Sequence, residues 1–283
     1  MTEPPDANRD TARTLDRDRY LAALFAPEPA RPALFALAAF GGETARVRDA
    51  VREPMLGEIR LQWWHDGLSA GPAEPATGNP VLDGVRAAAL HWHLPLAALV
   101  RTVEARRLEL YDDPYPSLTE LEGAAGETDG TLTQLAAIVL AEGRDPATGT
   151  FAGHAGVAET LIRVISEMPV LAARGRCLLP LDVLDRHGVE VADVLAGNAT
   201  PALAAAVADL AEAARSHLDA VRAGLADVAP AVLPAFLHLA PLRGRLATLV
   251  RPGRDPFRQP LAPSPLRDQW RLWRVARAPS RRL

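Results

Sequence analysis

Residues 34–68 read LFALAAFGGETARVRDAVREPMLGEIRLQWWHDGL, and this stretch predicts two helices with a break between them. The first helix carries an apolar stripe made of Leu34, Leu37, Ala38 and Val47. Pro54 can open the second helix, because the first turn of a helix does not need the N–H that proline lacks. The second helix carries large apolar side chains on one predicted face, at Met55, Leu56, Ile59, Trp63 and Trp64. We therefore expect these two helices to form the core of the fold.

The rest of the chain continues this helical pattern. Helical segments alternate with breaks rich in Pro and Gly, and no alternation of apolar and polar residues indicates a strand. The sequence predicts a disordered lead-in over residues 1–12, one all-helical domain over residues 13–250, and a tail rich in Pro, Arg and Trp over residues 251–283. The predicted fold class is therefore all-α, with the helices in a single bundle.

The composition indicates an ordinary globular protein and excludes several classes of function. Of the 283 residues, 48% are hydrophobic and 23% are charged, and the net charge of −4 gives no overall basic field for nucleic acid. Cys177 is the single cysteine, which excludes an intramolecular disulfide and a cysteine-based zinc site. The sequence has no signal-peptide core and no run of about 18 apolar residues. We therefore expect a cytoplasmic protein in a reducing compartment.

The tail allows two interpretations. It contains the segment DQWRLWRVAR, in which Trp270, Leu272 and Trp273 are the apolar element. After Phe257 a single acid, Asp268, accompanies seven arginines: Arg258, Arg267, Arg271, Arg274, Arg277, Arg281 and Arg282. One interpretation is a segment that docks on a membrane surface or a protein partner, where Arg meets anionic groups and Trp lies at the interface. The other is a final helix that packs its Trp side chains on the core and leaves its Arg side chains in water.

Several blocks of sequence together resemble the squalene/phytoene synthase family. RDRYLAALFAPEPARPALFALAAF resembles the entry helices of that family, and EIRLQWWHDGL resembles its R-L-x-W-W-R-D-x-L block. YPSLTELEGAAGETDGTLTQLAAIVL resembles the segment that runs into its A-G-x-V-G helix. AGVAETLIRVISEMPVLAARGRCLLPLDVL resembles the helix of its second acidic motif and the R-G-R-x-Y-L-P-x-D block after it. The resemblance spans about residues 17–190 and implies the isoprenoid-synthase fold, an all-α bundle around a central cavity.

The resemblance also implies a chemistry from which this sequence departs. Active members join two prenyl diphosphates, and the leaving diphosphate requires Mg²⁺ ions held by carboxylates on two facing helices. Where the family has D-D-x-x-D, residues 42–46 read GETAR, so Glu43 is the remaining acid and Arg46 replaces the last one. Where the family has D-x-x-x-D, this chain has Glu167 and Leu171. Neither helix presents a pair of acids, so we predict no catalytic residue and no metal ligand.

Other polar side chains are weaker candidates. Arg174 and Arg176 flank Gly175, and they suit either a phosphate-binding role, which would make them substrate ligands, or the C-terminal end of a helix dipole. The sequence leaves both open. Acids elsewhere in the chain are more simply assigned to turns, caps or the surface, namely Asp49, Glu53, Asp112, Asp113, Asp182 and Asp185.

Three hypotheses about function are consistent with these patterns. The leading one is a non-catalytic family member with an assembly role, similar to the branch that includes a mitochondrial complex I assembly factor and also lacks full acidic motifs. This hypothesis requires no cofactor and places the protein in the cytoplasm, peripherally at the inner membrane. The alternative is a Mg²⁺-dependent head-to-head prenyl transferase that uses Glu43 and Glu167. The third is a module that binds an isoprenoid or lipid in the cavity.

Overall fold

The computed structural model describes residues 6–261 and 264–277, which contain helices and connecting turns and no strand. The α-helices in chain order are α1 (Ala7–Leu15), α2 (Arg17–Ala23), α3 (Arg31–Ala45), α4 (Pro54–Ser69), α5 (Pro80–Trp92), α6 (Leu96–Ala105), α7 (Leu118–Ala125), α8 (Thr131–Leu140), α9 (Gly149–Ala172), α10 (Leu181–Arg186), α11 (Val191–Leu195), α12 (Pro201–Gly224), α13 (Leu242–Leu249) and α14 (Pro265–Ala276). Short 3₁₀ segments cover Glu28–Ala30, Arg48–Ala50, Arg106–Leu110 and Leu233–Leu239, and Gly126–Gly130 forms a π-helical turn. The predicted all-α class is confirmed. Among these helices none has the length and apolar content needed to cross a bilayer.

α9 is the long central helix of the bundle. It packs along α12, α8 and the π-helical turn, while α3 packs against α1, α5 and α8. α4 lies on α6 and contacts the 3₁₀ segment Arg106–Leu110. Phe40, Leu161 and Phe236 are fully buried and belong to one continuous hydrophobic core. This core joins elements from the whole length of the chain, so the charged side chains between the helices are held in a rigid frame.

α3 is apolar around most of its circumference, which is the pattern of a helix buried on all sides. Every residue from position 34 to position 42 is buried. Two glycines allow neighbouring helices to approach: a Cβ on Gly41 would lie 2.5 Å from a methyl group of Leu132, and one on Gly42 would lie 2.5 Å from Cβ of Leu15. The predicted place of this helix in the core is confirmed.

α4 turns to the core a face that shares only Trp64 with the predicted one. The predicted stripe is exposed, at 68% for Met55, 50% for Leu56, 61% for Ile59 and 44% for Trp63. The residues that α4 buries are Gly57, Leu61, Trp64 and Leu68. Gly57 explains this orientation, because a Cβ there would lie 2.5 Å from a methyl group of Leu110. The prediction is wrong because both faces of the helix have apolar periodicity, and only the face with the small residue allows close packing.

Helix α1 occupies residues that were expected to be a disordered lead-in. It begins at Ala7, and its N-cap Asp6 accepts a hydrogen bond from the backbone N–H of Arg9 at 3.2 Å. Ala12 is fully buried, and the helix packs on α3 and α2. The prediction is therefore wrong for residues 6–12, because a single small apolar face is enough to seat a short helix. Residues 1–5 lie outside the described residues.

The tail contains α14, which is anchored on the core. α14 packs against the 3₁₀ segment Leu233–Leu239, and Leu272 and Val275 belong to the hydrophobic core. Trp270 and Trp273 point away from it and are about half exposed. The interpretation in which the Trp side chains pack on the core is therefore wrong, because smaller apolar residues on the opposite face supply that contact.

Arginine side chains cover the exposed rings of α14. The guanidinium of Arg274 lies 4.8 Å from the ring centre of Trp270, and that of Arg277 lies 3.6 Å from the ring centre of Trp273. Both distances are within the range of a cation–π interaction. Arg281 and Arg282, the last two arginines of the tail, lie outside the described residues. The described part of the tail thus presents an outward face of aromatic rings and positive charge.

Candidate functional site

Arg19 on α2 is the centre of a buried network of charged side chains. Its guanidinium donates to both carboxylate oxygens of Glu159 on α9 at 2.8 and 2.6 Å, to Asp16 at 3.0 Å, and to the carbonyl oxygen of Asp129 at 3.2 Å. Asp16 also caps α2, because it accepts a hydrogen bond from the backbone N–H of Arg19 at 3.0 Å. These side chains are mostly buried, so Arg19 fixes α2 to α9 through ion pairs that are shielded from water.

Asp129 forms the second half of the network, in the π-helical turn. Its carboxylate accepts a hydrogen bond from the hydroxyl of Thr160 at 2.7 Å and lies 3.4 Å from Arg106 and 3.6 Å from Arg163. Burial alone would raise the pKa of this carboxyl, but the guanidinium groups of Arg106, Arg163 and Arg19 hold the pKa well below its usual range. Asp129 is therefore the charged counterion of three arginines.

The pKa values of the two carboxyl groups that accept hydrogen bonds from Arg19 are shifted in opposite directions. Burial would raise the pKa of Glu159, but Arg19 and the neighbouring ring of His238 outweigh it and lower the pKa. For Asp16, burial outweighs the attraction of Arg19 and raises the pKa. Within residues 6–261 and 264–277, no group of three or more His, Cys, Asp or Glu side chains is arranged to hold a metal ion. The carboxylates of this network are instead committed to guanidinium groups.

A small apolar cavity lies at the centre of the bundle, between α2, α3, α8 and the segment Leu233–Leu239. Its volume is about 30 Å³, and its lining includes Arg19, Leu34, Leu37 and His238. This space accommodates about one or two water molecules. Pockets that bind small organic ligands usually measure about 300–1,000 Å³. This gap is therefore too small to hold an isoprenoid chain.

A larger groove of about 620 Å³ lies between α2, α9, α13 and the start of α14. Its lining carries charges of both signs, namely Asp16, Arg17, Asp18, Glu159, Arg163, Glu167, Arg245 and Asp268. Glu167 is half exposed, lies 4.0 Å from Arg163, and has its pKa raised by the partial burial of its carboxyl. Arg245 bonds Asp18 and Asp268 and thereby ties α13 to α2 and α14. Apolar side chains supply most of the groove's surface, and most of its charged side chains pair with one another.

Glu43 and Arg46 line a different cleft, of about 450 Å³, together with Arg60, Trp63 and Asn79. Burial raises the pKa of Glu43. Leu15, at the end of α1, lines both this cleft and the groove that contains Glu167. Glu43 and Glu167 therefore line two adjacent clefts that share Leu15.

This chain is similar to known proteins over nearly the whole helical bundle. The family model for squalene/phytoene synthase matches residues 12–274. The chain belongs to the squalene/phytoene synthase family. Assembly factor 6 of NADH dehydrogenase (ubiquinone) complex I from Mus musculus is 31% identical over 245 residues, which cover 87% of this chain and 73% of that protein. The phytoene synthase of Thermus thermophilus is 28% identical over 241 residues, which cover 83% of this chain and 80% of the enzyme.

Solved structures of the squalene/phytoene synthase type share the fold. The squalene synthase HpnC from Alicyclobacillus acidocaldarius has a TM-score of 0.75 at 19% identity, covering 86% of this chain and 92% of that one. A dehydrosqualene synthase in complex with ligand has a TM-score of 0.76 at 16% identity, covering 95% of this chain and 93% of that one. The predicted isoprenoid-synthase-type bundle is confirmed.

Residues 42–46, where the sequence predicts the first acidic motif of the squalene/phytoene synthase family, lie at the C-terminal end of α3. The first position is Gly42, where a Cβ would lie 2.5 Å from Cβ of Leu15. The position of Cβ in Leu15 is fixed by the backbone of α1, so no rotation of the Leu15 side chain relieves the contact. The last position, Arg46, is the C-cap of α3 and is exposed. An acid at position 42 is therefore excluded unless α1 moves.

Glu167 and Leu171, where the sequence predicts the second acidic motif, lie near the end of α9. Leu171 is buried, while Arg174 and Arg176 pair with Asp49 at 3.1 and 3.0 Å. Gly175 has a φ of +74°, and the backbone N–H of Arg176 donates to the carbonyl oxygen of Leu171. This is the geometry of a helix C-terminus closed by glycine. A phosphate-binding role for the two arginines stays a prediction.

Arg19, Asp129 and Glu159 are central residues that the sequence patterns did not single out. A signal for one of them exists: Glu159, Arg163 and Glu167 recur every four residues, which places an alternating charge series on one face of α9. No local signal identifies the pairing with Arg19, because the partners are 140 residues apart in the chain.

Proposed function

We propose that this chain is a non-catalytic member of the squalene/phytoene synthase family that acts in the assembly of a protein complex. The name of the Mus musculus relative describes such a role for that protein. The observation that supports the proposal best is the packing of Leu15 on Gly42, because it removes the room for a carboxylate at the first motif position. Glu43 and Glu167 leave one carboxylate for each motif, which is fewer oxygen ligands than a Mg²⁺-diphosphate complex needs. The expected location, cytoplasmic and peripheral at the inner membrane, stays a prediction.

The size of the central cavity supports the same proposal. A prenyl transferase has to shield a long apolar chain and its carbocation from water, and an isoprenoid-binding module has to enclose the same chain. Such ligands require a pocket of several hundred Å³, whereas the cavity at the centre of this bundle measures about 30 Å³. Both the transferase and the isoprenoid-binding alternatives therefore require either that the helices around it separate or that the ligand uses the groove of about 620 Å³, where Glu159 and Asp18 already pair with arginines.

We expect no release of pyrophosphate when the full chain is incubated with Mg²⁺ and farnesyl or geranylgeranyl diphosphate. The reason is that neither motif carries a pair of acids, and carboxylates of the large groove such as Glu159 and Asp18 already pair with arginines. Pyrophosphate release is measured with a coupled colorimetric assay, and the phytoene synthase of Thermus thermophilus serves as the positive control. Release that depends on Mg²⁺ and is abolished by both Glu43→Gln and Glu167→Gln would establish the transferase alternative instead.

We assign the partner surface to α14. Trp270 and Trp273 are about half exposed, and each ring is covered by a guanidinium. Trp and Arg are the side chains that most often dominate the energy of protein–protein contacts, because they bury a large area and keep hydrogen-bonding capacity. Leu272 and Val275 hold α14 on the core, so the helix can present the two Trp rings to a partner without giving up its own packing.

A complementation experiment tests the assembly role. In the source organism, deletion of this gene is expected to reduce the amount of assembled NADH dehydrogenase complex on native gels. The wild-type chain and the double variant Glu43→Gln/Glu167→Gln should restore it equally, because the proposed role uses no catalysis. The double variant Trp270→Ala/Trp273→Ala should fail to restore it while keeping the wild-type melting temperature. Rescue that requires Glu43 and Glu167 would contradict the proposal.

A further inference from the structure

The outer face of α4 carries an exposed apolar strip. Met55, Ile59 and Trp63 recur every four residues and are exposed, so they form a line about 12 Å long on one side of the helix. Leu56 widens the line at its start. A continuous strip of large apolar side chains in water is a feature that marks a contact surface.

Positive charge without a partner lies beside this strip. Arg46 and Arg60 line the cleft of about 450 Å³ together with Trp63. Among the described residues, neither guanidinium forms an ion pair, and Glu43 is the acid in the lining. On the other flank of the strip, the carboxylate of Glu58 is already paired with Arg107. The middle of the face is therefore apolar with net positive charge.

We propose that the outer face of α4 docks on an anionic phospholipid surface, with a lipid phosphate in the cleft between Arg46 and Arg60. Met55, Ile59 and Trp63 then lie in the interfacial layer, where apolar side chains leave water and Trp finds both apolar and polar neighbours. The two guanidinium groups supply charge-assisted hydrogen bonds to phosphate oxygens. The acids at the two ends of the strip, Glu53 and Asp66, are placed toward the aqueous edges of the contact.

The chemistry favours a lipid surface over a protein helix. A single convex helix face offers no groove into which a partner helix could insert. The cleft beside it, of about 450 Å³, leaves room for a phosphate group next to Arg46 and Arg60. This surface is distinct from α14, so the inference does not depend on the proposed assembly role.

Vesicle sedimentation tests the inference with the full chain. We expect binding to vesicles of phosphatidylglycerol and phosphatidylcholine in equal amounts, and none to phosphatidylcholine alone. Arg46→Gln and Arg60→Gln should each weaken binding about fivefold, which corresponds to one headgroup contact. Ile59→Ser should weaken it about tenfold through lost apolar burial. These side chains are exposed, so the variants should keep the wild-type melting temperature.

Matched controls lie elsewhere on the surface. Leu90 is 56% exposed on α5, and Arg144 is exposed after α8, so Leu90→Ser and Arg144→Gln should leave vesicle binding unchanged. The inference is overturned if the wild-type chain does not bind anionic vesicles. It is also overturned if Trp270→Ala/Trp273→Ala abolishes binding while the α4 variants bind normally. Binding of inorganic phosphate in the cleft without vesicle binding would overturn it as well, since the site would then serve a free anion.

Discussion

Replacement of Arg19 by methionine is expected to lower the free energy of unfolding by about 3–5 kcal/mol at pH 7, because it leaves buried carboxylates without their counterion. Glu159 loses two charge-assisted hydrogen bonds and Asp16 loses one. Methionine is long, flexible and apolar, so it fills much of the vacated space and the effect reports the charge. Chemical denaturation followed by circular dichroism measures the difference.

The stability deficit of this variant should shrink as the pH falls. Without Arg19, burial raises the pKa of Glu159 and of Asp16 above the values in the unfolded chain. A raised carboxyl pKa destabilises the folded state above the unfolded pKa, and the penalty disappears once the group is protonated. In the wild type the pKa of Glu159 is lowered instead, so its ionised carboxylate stabilises the folded state at pH 7. This stabilisation is lost in acid. The penalty in the variant should shrink as the pH falls toward about 4, and the stabilisation from Glu159 in the wild type should be lost below about pH 4, so the two curves converge in acid.

Arg13→Met is the matched control for this prediction. Arg13 also pairs with an acid three residues away, Asp10 at 3.2 Å, but its side chain is 62% exposed. Exposed ion pairs contribute little because water and salt screen them. An equal loss in both variants, or a loss at Arg19 that does not change with pH, would show that the network is not buried as described.

Gly156→Ala on α9 should destabilise the protein by about 3 kcal/mol, because the added methyl group overpacks a backbone contact. A Cβ on Gly156 would lie 2.6 Å from Cα of Gly130 and 2.8 Å from the carbonyl oxygen of Ala125. These atoms belong to α7 and the π-helical turn, so no rotamer change relieves the clash. The melting temperature and the unfolding midpoint in urea measure the effect.

Gly153→Ala, one helical turn earlier, separates packing from helix propensity. No atom lies within 4 Å of a Cβ on Gly153. Alanine in the middle of a helix is more favourable than glycine by about 0.5–1 kcal/mol, so this variant should be slightly stabilised. Similar behaviour of the two variants would contradict the close approach of α9 to the π-helical turn.

The sequence predicts the fold class and the place of α3 because both depend on local signals. Apolar residues cover α3 on every side, so any orientation buries it. α4 has two apolar faces, and the choice between them depends on Gly57 and on Leu110, which lies more than fifty residues away in the chain. Periodicity shows that a helix has an apolar face but does not show which face finds a partner.

The candidate site was predictable in outline. The loss of paired acids at residues 42–46 and at Glu167 and Leu171 is visible in the sequence. The reach of Arg19 to Glu159, and the presence of Leu15 over Gly42, depend on how α1 and α2 fold back on the bundle. These contacts join helices that are distant in sequence, so no local pattern specifies them.

The seating of Leu15 on Gly42 has a consequence for evolution. An aspartate at position 42 would clash with Cβ of Leu15, whether or not a metal ion is present. A smaller residue at position 15, or a shift of α1 away from α3, would have to come first. Either change by itself would lower stability, because apolar packing would be lost. A complete first motif would therefore have to arise through an initial substitution that destabilises the protein. The present packing makes the gain of that motif unfavourable.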